Sequence, residues 1–446
     1  MKKLFGLIAI AAVALSAAAD TYTTAGNGTE WNFAKLAEVE GSQVTAGEQA
    51  GTYILSGTLV IAAGDSFVMD DGVTILMGQN AELDLEGIAT MAVTNGSTFT
   101  RLSEGVVPRF IYAKSEQGAI AFRNIHFEYA GLKQFSGNDL TVDNCTFRYH
   151  EASLSNGSGA ISIGGTGNVV ITRSTFEYNK RSGVAGAANS TCNVTIDGCR
   201  FYYNDQQNVN YPQINLTAGP EVIIENNTVI GDRTKTRGGG IVVSDLQGIA
   251  TDPVTYIRNN YVTDNRFGIS VYSGQTAYIT NNTLINNNTD TNPNTGGSGI
   301  NVTDAGRTQT LVATGNYISG HFWGVSVIGG KNINFGRTDV GYSDPDFNPG
   351  LNTFADHMVG DVHYDFYNNS DNTVYAMGNF WKCAATGEST VDDLITDAKD
   401  NKALGEVIYR NAPDFDLNSD GNVNAGDVTI LYDNIINTPV SGSDSE

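Results

Sequence analysis

A six-residue motif recurs along the chain at variable spacing and limits the fold more than any other pattern. Each copy runs from an apolar strand residue through a small polar corner to a large apolar residue, which we call the anchor. The first eight anchors are 20 to 34 residues apart. A constant motif with variable spacing predicts coils of fixed cross-section with loops of different lengths, which indicates a parallel β-helix rather than a helical repeat. The anchors are Phe127, Phe147, Phe176, Phe201, Val229, Val262, Leu284, Ile318 and Trp381.

The positions inside the motif predict which side chains face the core. Residues two apart in a strand share a face, so the position two before each anchor is expected to be buried. Asparagines that stack there in successive coils are expected to form a hydrogen-bonded ladder at a bend. Cys145 and Cys199 would lie two coils, about 10 Å, apart, which is too far for a disulfide. The interval from Ile318 to Trp381 leaves room for one extra coil. The buried column is Ile125, Cys145, Ser174, Cys199, Asn227, Asn260, Asn282, Asn316 and Asn379.

These coils resemble the pectate-lyase-like superfamily of right-handed β-helices, and more closely the secreted β-helix repeat proteins of Gram-negative bacteria. The resemblance covers residues 121–381 and implies an all-β, single-stranded, right-handed parallel β-helix, which is a solenoid. Residues 20–120 are then expected to contain an N-terminal cap and the first coils, residues 121–383 the repeats, and residues 384–410 a C-terminal cap or linker. This scaffold supports lyases, hydrolases, epimerases and adhesins, so the resemblance leaves the function open.

The N-terminus and the net charge indicate an exported protein that does not bind nucleic acid. Residues 1–19 combine a basic start, a short apolar run and small residues, which is typical of a secretory signal peptide. No membrane span is expected after its cleavage, and the protein is expected outside the cell, at the cell surface or in the periplasm of a Gram-negative bacterium. The net charge of −23 argues against nucleic acid, because phosphates require a basic surface.

Residues 416–427 predict a calcium-binding loop. Oxygen-bearing residues alternate along the loop with a glycine at its sixth position, as in an EF-hand. Asp at position 12 and the lack of an evident entering helix resemble a dockerin type I repeat, which we expect over residues 411–438. A full dockerin has two such loops and this chain has one, so Ca²⁺ is the expected cofactor, while a cohesin-like partner stays an open alternative. The predicted ligands are Asp416, Asn418, Asp420, Asn422, Asn424 and Asp427.

The columns just beyond the anchors contain the candidate site residues. Two positions beyond the anchor, Tyr149, Tyr178 and Tyr203 are expected to stack and to offer flat apolar faces to sugar rings. Four positions beyond, a second column contains charged residues, and we take four of these as candidate catalytic residues. Cross-strand pairing of charges and self-packing of tyrosines would explain the same columns without a ligand. The charged column is Glu151, Lys180, Asp205, Arg233 and Arg266, and the first four are the catalytic candidates.

Two reaction types fit these charges. A polysaccharide lyase needs a base, here Lys180 or Arg233, and a cation that neutralises the uronate carboxylate. Glu151, Asp205 and Asp232 are candidate ligands for such a calcium ion. An inverting glycoside hydrolase instead needs two carboxylates about 6.5–9.5 Å apart, for which Glu151 and Asp205 are candidates. The sequence therefore predicts a carbohydrate-active β-helix, most concretely a lyase for uronate-containing polysaccharide. The alternative is a non-catalytic protein that binds a glycan or adheres to a cell surface.

Overall fold

The computed structural model of the protein describes residues 20–151, 159–382 and 391–411. These residues form a right-handed parallel β-helix, in which each coil contributes strands to three sheets. The predicted fold class is confirmed for these residues. The predicted signal peptide, Cys383 and the predicted calcium loop with its six ligands lie outside them. No helix in the described ranges is long and apolar enough to span a membrane.

The first sheet runs along the whole described solenoid and has fourteen strands in the described residues. All its neighbouring strands are parallel, as expected for successive coils. Its strands are Thr21–Thr23, Thr58–Ile61, Glu82–Leu85, Phe110–Ala113, Gly131–Gln134, Gly159–Ile163, Ser182–Gly186, Ile214–Thr217, Ile241–Ser244, Ile269–Tyr272, Ser298–Thr303, Trp323–Ile328, Phe366–Asn368 and Ile395–Thr396.

The second and third sheets contain the two halves of the sequence motif and meet at a bend. Three long strands, Ile88–Arg101, Ile120–Glu128 and Val374–Lys382, pass through both sheets. The other second-sheet strands are Glu30–Trp31, Ser66–Val68, Leu140–Asp143, Asn168–Thr172, Asn193–Asp197, Glu221–Glu225, Val254–Arg258, Thr276–Thr280, Thr310–Thr314, Ile333–Asn334 and Val407–Asn411. The other third-sheet strands are Val44–Ala46, Thr52–Leu55, Thr74–Met77, Thr146–Arg148, Thr175–Glu177, Arg200–Tyr202, Thr228–Ile230, Tyr261–Thr263, Thr283–Ile285, Tyr317–Ser319 and Thr353–Ala355.

The predicted anchors stand in register in the third sheet and form the core of the solenoid. Four consecutive anchors are phenylalanines whose rings stack face to face, with centroids 4.4–5.1 Å apart. The extra coil for which the sequence left room is present, because Phe354 pairs with Ile318 on one side and with Trp381 on the other. The phenylalanine stack consists of Phe127, Phe147, Phe176 and Phe201.

The predicted asparagine ladder lies at the bend between the second and third sheets and is fully buried. Asn282 shows the repeating pattern. Its Oδ1 accepts hydrogen bonds from the backbone N–H and the Nδ2 of Asn260, both at 3.0 Å. Its Nδ2 donates to the carbonyl of Ile257 at 2.8 Å and to Oδ1 of Asn316 at 3.0 Å. Each amide therefore satisfies the backbone of one coil and links it to the next. The ladder consists of Asn227, Asn260, Asn282, Asn316, Asn352 and Asn379.

The other predictions for the buried column hold as well. Cys145 and Cys199 are buried free thiols, and so is Cys192. Burial raises the pKa of both Cys145 and Cys199 to about 12, so that neither thiol ionises near neutral pH.

The N-terminal end of the core is covered by a short helix, Phe33–Leu36, whose Phe33 packs on Phe67 and Phe99. The buried carboxylate of Asp65 holds the preceding segment. It accepts hydrogen bonds from the backbone N–H groups of residues 26–29 and from Nε1 of Trp31, at 2.9–3.1 Å. Burial alone would raise the pKa of Asp65, but these hydrogen bonds lower it to about 2. The cap therefore closes an edge that would otherwise be open to pairing.

We expect Asn282→Ala to lower the free energy of unfolding by about 2–4 kcal/mol, because it leaves buried donors and acceptors of two neighbouring coils unpaired. The matched control is the adjacent Asn281, which has φ +54° and a backbone conformation that glycine adopts freely. Asn281→Gly should change the stability by less than about 0.5 kcal/mol. Denaturant unfolding followed by circular dichroism measures both, and equal effects would contradict the role of the ladder.

Candidate functional site

The tyrosines predicted to stack do so at the turn from the third sheet to the first. Tyr129 precedes the three predicted residues in the same column. Neighbouring rings along the column have centroids 5.5–5.9 Å apart. Tyr149 and Tyr178 are 37% and 41% exposed, so they present ring surface to solvent. The tyrosine column is Tyr129, Tyr149, Tyr178 and Tyr203.

The backbone at these tyrosines is left-handed, with φ between 52° and 63°. This conformation costs about 1–2 kcal/mol per residue for most side chains. Later coils place Asp264, Asn286 and Gly320 at the same turn, and these residue types tolerate a positive φ far better. Four consecutive coils have a tyrosine here in spite of this conformational cost. The turn itself does not favour tyrosine, so the aromatic side chains are the feature that needs an explanation.

Tyr129, Tyr149 and Tyr178 line a groove of about 430 Å³ that we call the tyrosine groove, whereas the predicted Tyr203 stacks in the column but does not line it. Two of the four predicted charged residues, Glu151 and Lys180, lie in it together. Arg101 also lines it, with its guanidinium 3.9 Å from the centre of the Tyr129 ring. Lys180 forms no ion pair with any described residue. The lining residues are Arg101, Tyr129, Tyr149, Glu151, Tyr178, Lys180, Gln206 and Gln207.

The other two predicted charged residues lie elsewhere. Asp205 is fully buried, and its carboxylate accepts hydrogen bonds from the backbone N–H groups of residues 209–211 at 3.1–3.2 Å. Burial raises the pKa of Asp205 despite these bonds. Arg233 is held by Asp264 at 2.8 Å and by Asn288 at 3.1 Å. The structure therefore brings Glu151 and Lys180 together but does not bring Asp205 or Arg233 to them.

Glu151, Asp205 and Asp232 were the candidate ligands for a calcium ion beside a lyase base, and these three carboxylates do not form a metal site. Within the described residues, no three acidic, histidine or cysteine side chains are grouped so that they could hold a metal ion. Asp232 uses its carboxylate locally, accepting hydrogen bonds from the backbone and hydroxyl of Thr234 at 2.9 and 2.6 Å.

A larger site lies on the outer face of the first sheet, where sequence reasoning assigned no function. It is a cleft of about 500 Å³, which we call the first-sheet cleft. Its floor is a column of outward side chains in register in four successive coils. The chain segment 293–296 forms one wall, and Nε1 of Trp323 donates to the carbonyl of Pro293 at 2.9 Å. The floor residues are Ser270, Asn301, Ser326 and Tyr367.

Three aromatic rings form one end of the first-sheet cleft. The centroid of Trp323 is 4.6 Å from that of Tyr364 and 5.3 Å from that of Tyr367. The Trp323 and Tyr367 rings are nearly parallel, at 29°. A rigid aromatic surface of this kind offers apolar area with little conformational entropy to lose on binding.

Arg266 is the one charged side chain among the described residues that line the cleft. Its Nη2 donates to Oδ1 of Asn210 at 2.5 Å, but its buried Nε has no hydrogen-bond partner. Burial lowers the pKa of Arg266, and the charge of nearby Asp290 opposes that shift. Gly296 packs on this side chain so closely that a Cβ would lie 2.5 Å from its Cγ. The arginine is therefore held in place with a donor unsatisfied.

A second sequence pattern could have located this cleft. First-sheet strands repeat glycine, apolar, variable, apolar, starting at Gly240, Gly268, Gly299 and Gly324. The glycines are required by close approach, since a Cβ on Gly268 would lie 2.5 Å from the carbonyl oxygen of Gly299. The variable positions of the last three copies are Ser270, Asn301 and Ser326, which are three of the four floor residues of the cleft. Tyr364 and Tyr367 follow a longer connection after the third-sheet strand Thr353–Ala355, and the motif of the other two sheets does not align them with Trp323.

The chain matches the family model described as "Right handed beta helix region" over residues 110–284. Among solved structures, it is similar to two variants of the periplasmic alginate epimerase AlgG. One is 12% identical, with a TM-score of 0.47, and the match covers 86% of this chain and 84% of that one. The other is 12% identical, with a TM-score of 0.46, and the match covers 86% and 77%. No curated protein matches the sequence significantly.

Asp365 follows the cleft residue Tyr364, and one of its carboxylate oxygens, Oδ2, is buried without a hydrogen-bond partner. Burial, and then the charge of Asp356, raises the pKa of Asp365 to about 8. The folded state thus retains a proton that the unfolded chain loses near pH 4, so this group reduces the stability progressively from about pH 4 to pH 8. Two buried histidines, His321 and His357, have lowered pKa values and act in the opposite direction.

We expect Asp365→Asn to remove the loss of folding stability that Asp365 causes as the pH rises. The stability of the variant relative to the parent protein should rise by more than about 1 kcal/mol between pH 4 and pH 8. Comparing the two proteins at each pH cancels the contribution of the histidines. Asp361→Asn, at an exposed position, is the control and should give a difference independent of pH. Thermal or denaturant unfolding at several pH values measures the effect, and a constant difference for Asp365→Asn would contradict it.

Proposed function

We propose that the chain binds a polysaccharide in the first-sheet cleft, with sugar rings against Trp323 and Tyr367 and an acidic group of the glycan at Arg266. The observation that carries this proposal is a partly buried guanidinium whose buried Nε has no hydrogen-bond partner, in a cleft that also contains the rings of Trp323 and Tyr367. Clefts that bind ligands combine apolar walls with a few fixed polar groups in this way.

The unsatisfied Nε of Arg266 supports an acidic ligand. A buried donor without an acceptor costs free energy, and a charged one costs more than a neutral one. A carboxylate matches the planar guanidinium geometrically and would supply the missing acceptor. A uronate unit presents such a carboxylate on a ring that also stacks, so a uronate-containing glycan fits both parts of the cleft.

The lining of the first-sheet cleft supports binding rather than hydrolysis at this site. Glycoside hydrolysis uses a pair of carboxyl groups beside the scissile bond. No Asp or Glu is among the described residues that line the cleft. Hydroxyl and amide groups, such as those of Ser270 and Asn301, can exchange hydrogen bonds with sugar hydroxyls without taking part in acid–base chemistry. For the first-sheet cleft, we therefore favour glycan binding without catalysis over glycoside hydrolysis.

Binding of oligouronates and of the same oligosaccharides with reduced carboxyl groups tests this proposal by calorimetry. We expect Trp323→Ala to weaken both ligands at least tenfold, because both stack on the ring. Arg266→Gln should weaken only the acidic ligand, by about tenfold or more. Tyr342→Ala is the control, since this tyrosine is 87% exposed and does not line the cleft. Equal affinity of Arg266→Gln for the acidic ligand would contradict the proposed role of Arg266.

A second candidate function is a lyase reaction in the tyrosine groove, favoured by the meeting of Glu151, Lys180 and three tyrosines there. In its free-base form, Lys180 would take the proton from C5 of a uronate unit while Arg101 neutralises the carboxylate. The C4–O bond then breaks, and a C4=C5 double bond forms. Burial, followed by the charge of Tyr203, raises the pKa of Tyr178, so its hydroxyl stays protonated and could donate to the leaving oxygen.

An assay for unsaturated product on a panel of uronate polysaccharides, with calcium and with chelator, tests the lyase reaction. We expect Lys180→Ala to reduce product formation by about a hundredfold or more, because it removes the base. Lys235→Ala is the control, as Lys235 lies outside the groove. Product formation that survives Lys180→Ala would exclude the tyrosine groove as the site, and the absence of product on every substrate would favour the binding function.

A further inference from the structure

A second group of polar side chains in unusual surroundings lies on the outer face of the first sheet, near the N-terminal end. Asp84, Tyr112 and Lys133 stand in register in three successive coils. The same column continues through five more coils to Ser270 in the floor of the first-sheet cleft. At about 4.8 Å per coil, Lys133 is about 24 Å from Ser270, so this group is separate from the cleft.

The side chain of Lys133 lies among aromatic rings, and the anion whose charge acts on it, Glu82, is already paired with Arg109. It is only 8% exposed, and its Nζ lies 4.0 Å from the ring centre of Phe110, 5.6 Å from that of Tyr112 and 6.0 Å from that of Phe135. It forms no ion pair and no side-chain hydrogen bond with any described residue. Cation–π contacts compensate part of the cost of burying an ammonium group, but they leave its N–H donors without acceptors.

The basic side chains near Lys133 are paired, but Lys133 is not. Arg109 pairs with Glu82 at 2.9 Å, and Lys114 pairs with Asp84 at 2.5 Å. Lys133 has no ion-pair partner among the described residues, and Glu86 and Glu116 line the adjoining cavity.

Asp84 is a nearly buried carboxylate with one acceptor atom that no protein group uses. It is 7% exposed, and only its Oδ2 is used by Lys114, so its buried Oδ1 has no hydrogen-bond partner. Burial lowers the pKa of Lys133 and raises the pKa of Asp84, and in each case a neighbouring opposite charge opposes the shift. A cation without an ion-pair partner and a buried, unsatisfied acceptor thus stand two coils apart, on either side of Tyr112.

An open cavity of about 480 Å³ adjoins this group. Two side chains connect them: Lys114, which pairs with Asp84, and Phe135, which lies near Lys133. Phe135 is 45% exposed, so its ring is available to a ligand from the solvent side. The cavity is lined by Ala63, Glu86, Lys114, Glu116, Gln117 and Phe135.

We propose that Asp84, Lys133 and Phe135 form an anion-binding sugar subsite. The carboxylate or sulfate of a sugar unit would accept from Nζ of Lys133, a sugar hydroxyl would donate to Oδ1 of Asp84, and the ring would lie on Phe135. This arrangement supplies the acceptor and the donor that the protein lacks, and it explains why an unpaired lysine is kept in a nearly buried position where methionine would pack equally well. The subsite does not depend on the function proposed for the first-sheet cleft.

The test measures binding of glucuronate, glucose 6-sulfate and glucose to the full chain by saturation-transfer NMR. All proteins carry Arg266→Gln, so that binding at the first-sheet cleft is weakened and a failure there is not mistaken for a failure here. We expect one or both anionic sugars to bind at least tenfold more tightly than glucose. Which of the two binds more tightly distinguishes a carboxylate subsite from a sulfate subsite.

Lys133→Met should abolish this preference for anionic sugars while leaving the melting temperature unchanged or higher, because it removes an unpaired buried charge. Lys331→Met, at an exposed lysine, is the matched control and should keep the preference. Phe135→Ala alters an exposed ring and should weaken the anionic sugars at least fivefold even if Lys133→Met folds poorly. Glucose that binds as tightly as the anionic sugars, or a preference that persists in Lys133→Met, would overturn the proposal.

Discussion

The buried ladder of asparagine amides at the bend between the second and third sheets sets the register of the described coils from residue 227 onwards. An amide at this position is satisfied only when the next coil places its own amide directly above it, as Asn260 and Asn282 do. A slip of one residue would break two hydrogen bonds per coil and turn the apolar anchors outward. Loops of very different length therefore leave the coils without altering their cross-section.

Because the register is fixed, outward side chains of successive coils form columns. The tyrosine groove and the floor of the first-sheet cleft are both built from such columns. The tyrosine column tolerates a left-handed backbone at Tyr149 and Tyr178 and gains a continuous aromatic surface. The first-sheet column contains charged and aromatic residues from Asp84 to Lys133, passes through small ones such as Ala185, and reaches the aromatic end of the cleft at Tyr367. The outer face of the first sheet thus contains two separate polar sites, the group around Lys133 and the first-sheet cleft.

Four cations lie at or beside concave surfaces on a chain that is strongly acidic overall, and none of them forms an ion pair with a described residue. Arg101, Lys180 and Arg266 line a groove or cleft, and Lys133 lies next to Phe135, which lines a cavity. Most other basic side chains on these sheets, such as Arg148 and Arg258, are paired across strands, which is what cross-strand selection alone produces. Unpaired positive charge at concave surfaces attracts anionic groups locally even when the net charge is negative. This distribution favours acidic glycans as ligands at more than one place.

The sequence alone determined the coil architecture, the anchors, the buried column and the tyrosine stack, because these depend on a short motif whose period is fixed by strand geometry. It also grouped Glu151 with Lys180, which are neighbours in adjacent coils. Only the tertiary structure decided that Asp205 turns inward to hold a loop and that Arg233 pairs with Asp264. Both stand at the start of inserts whose conformation depends on backbone groups and distant partners. The first-sheet cleft also required the tertiary structure. The glycine pattern of the first-sheet strands indicates part of its floor, but Arg266, Trp323 and Tyr367 come to line one cleft from coils separated by inserts of unequal length.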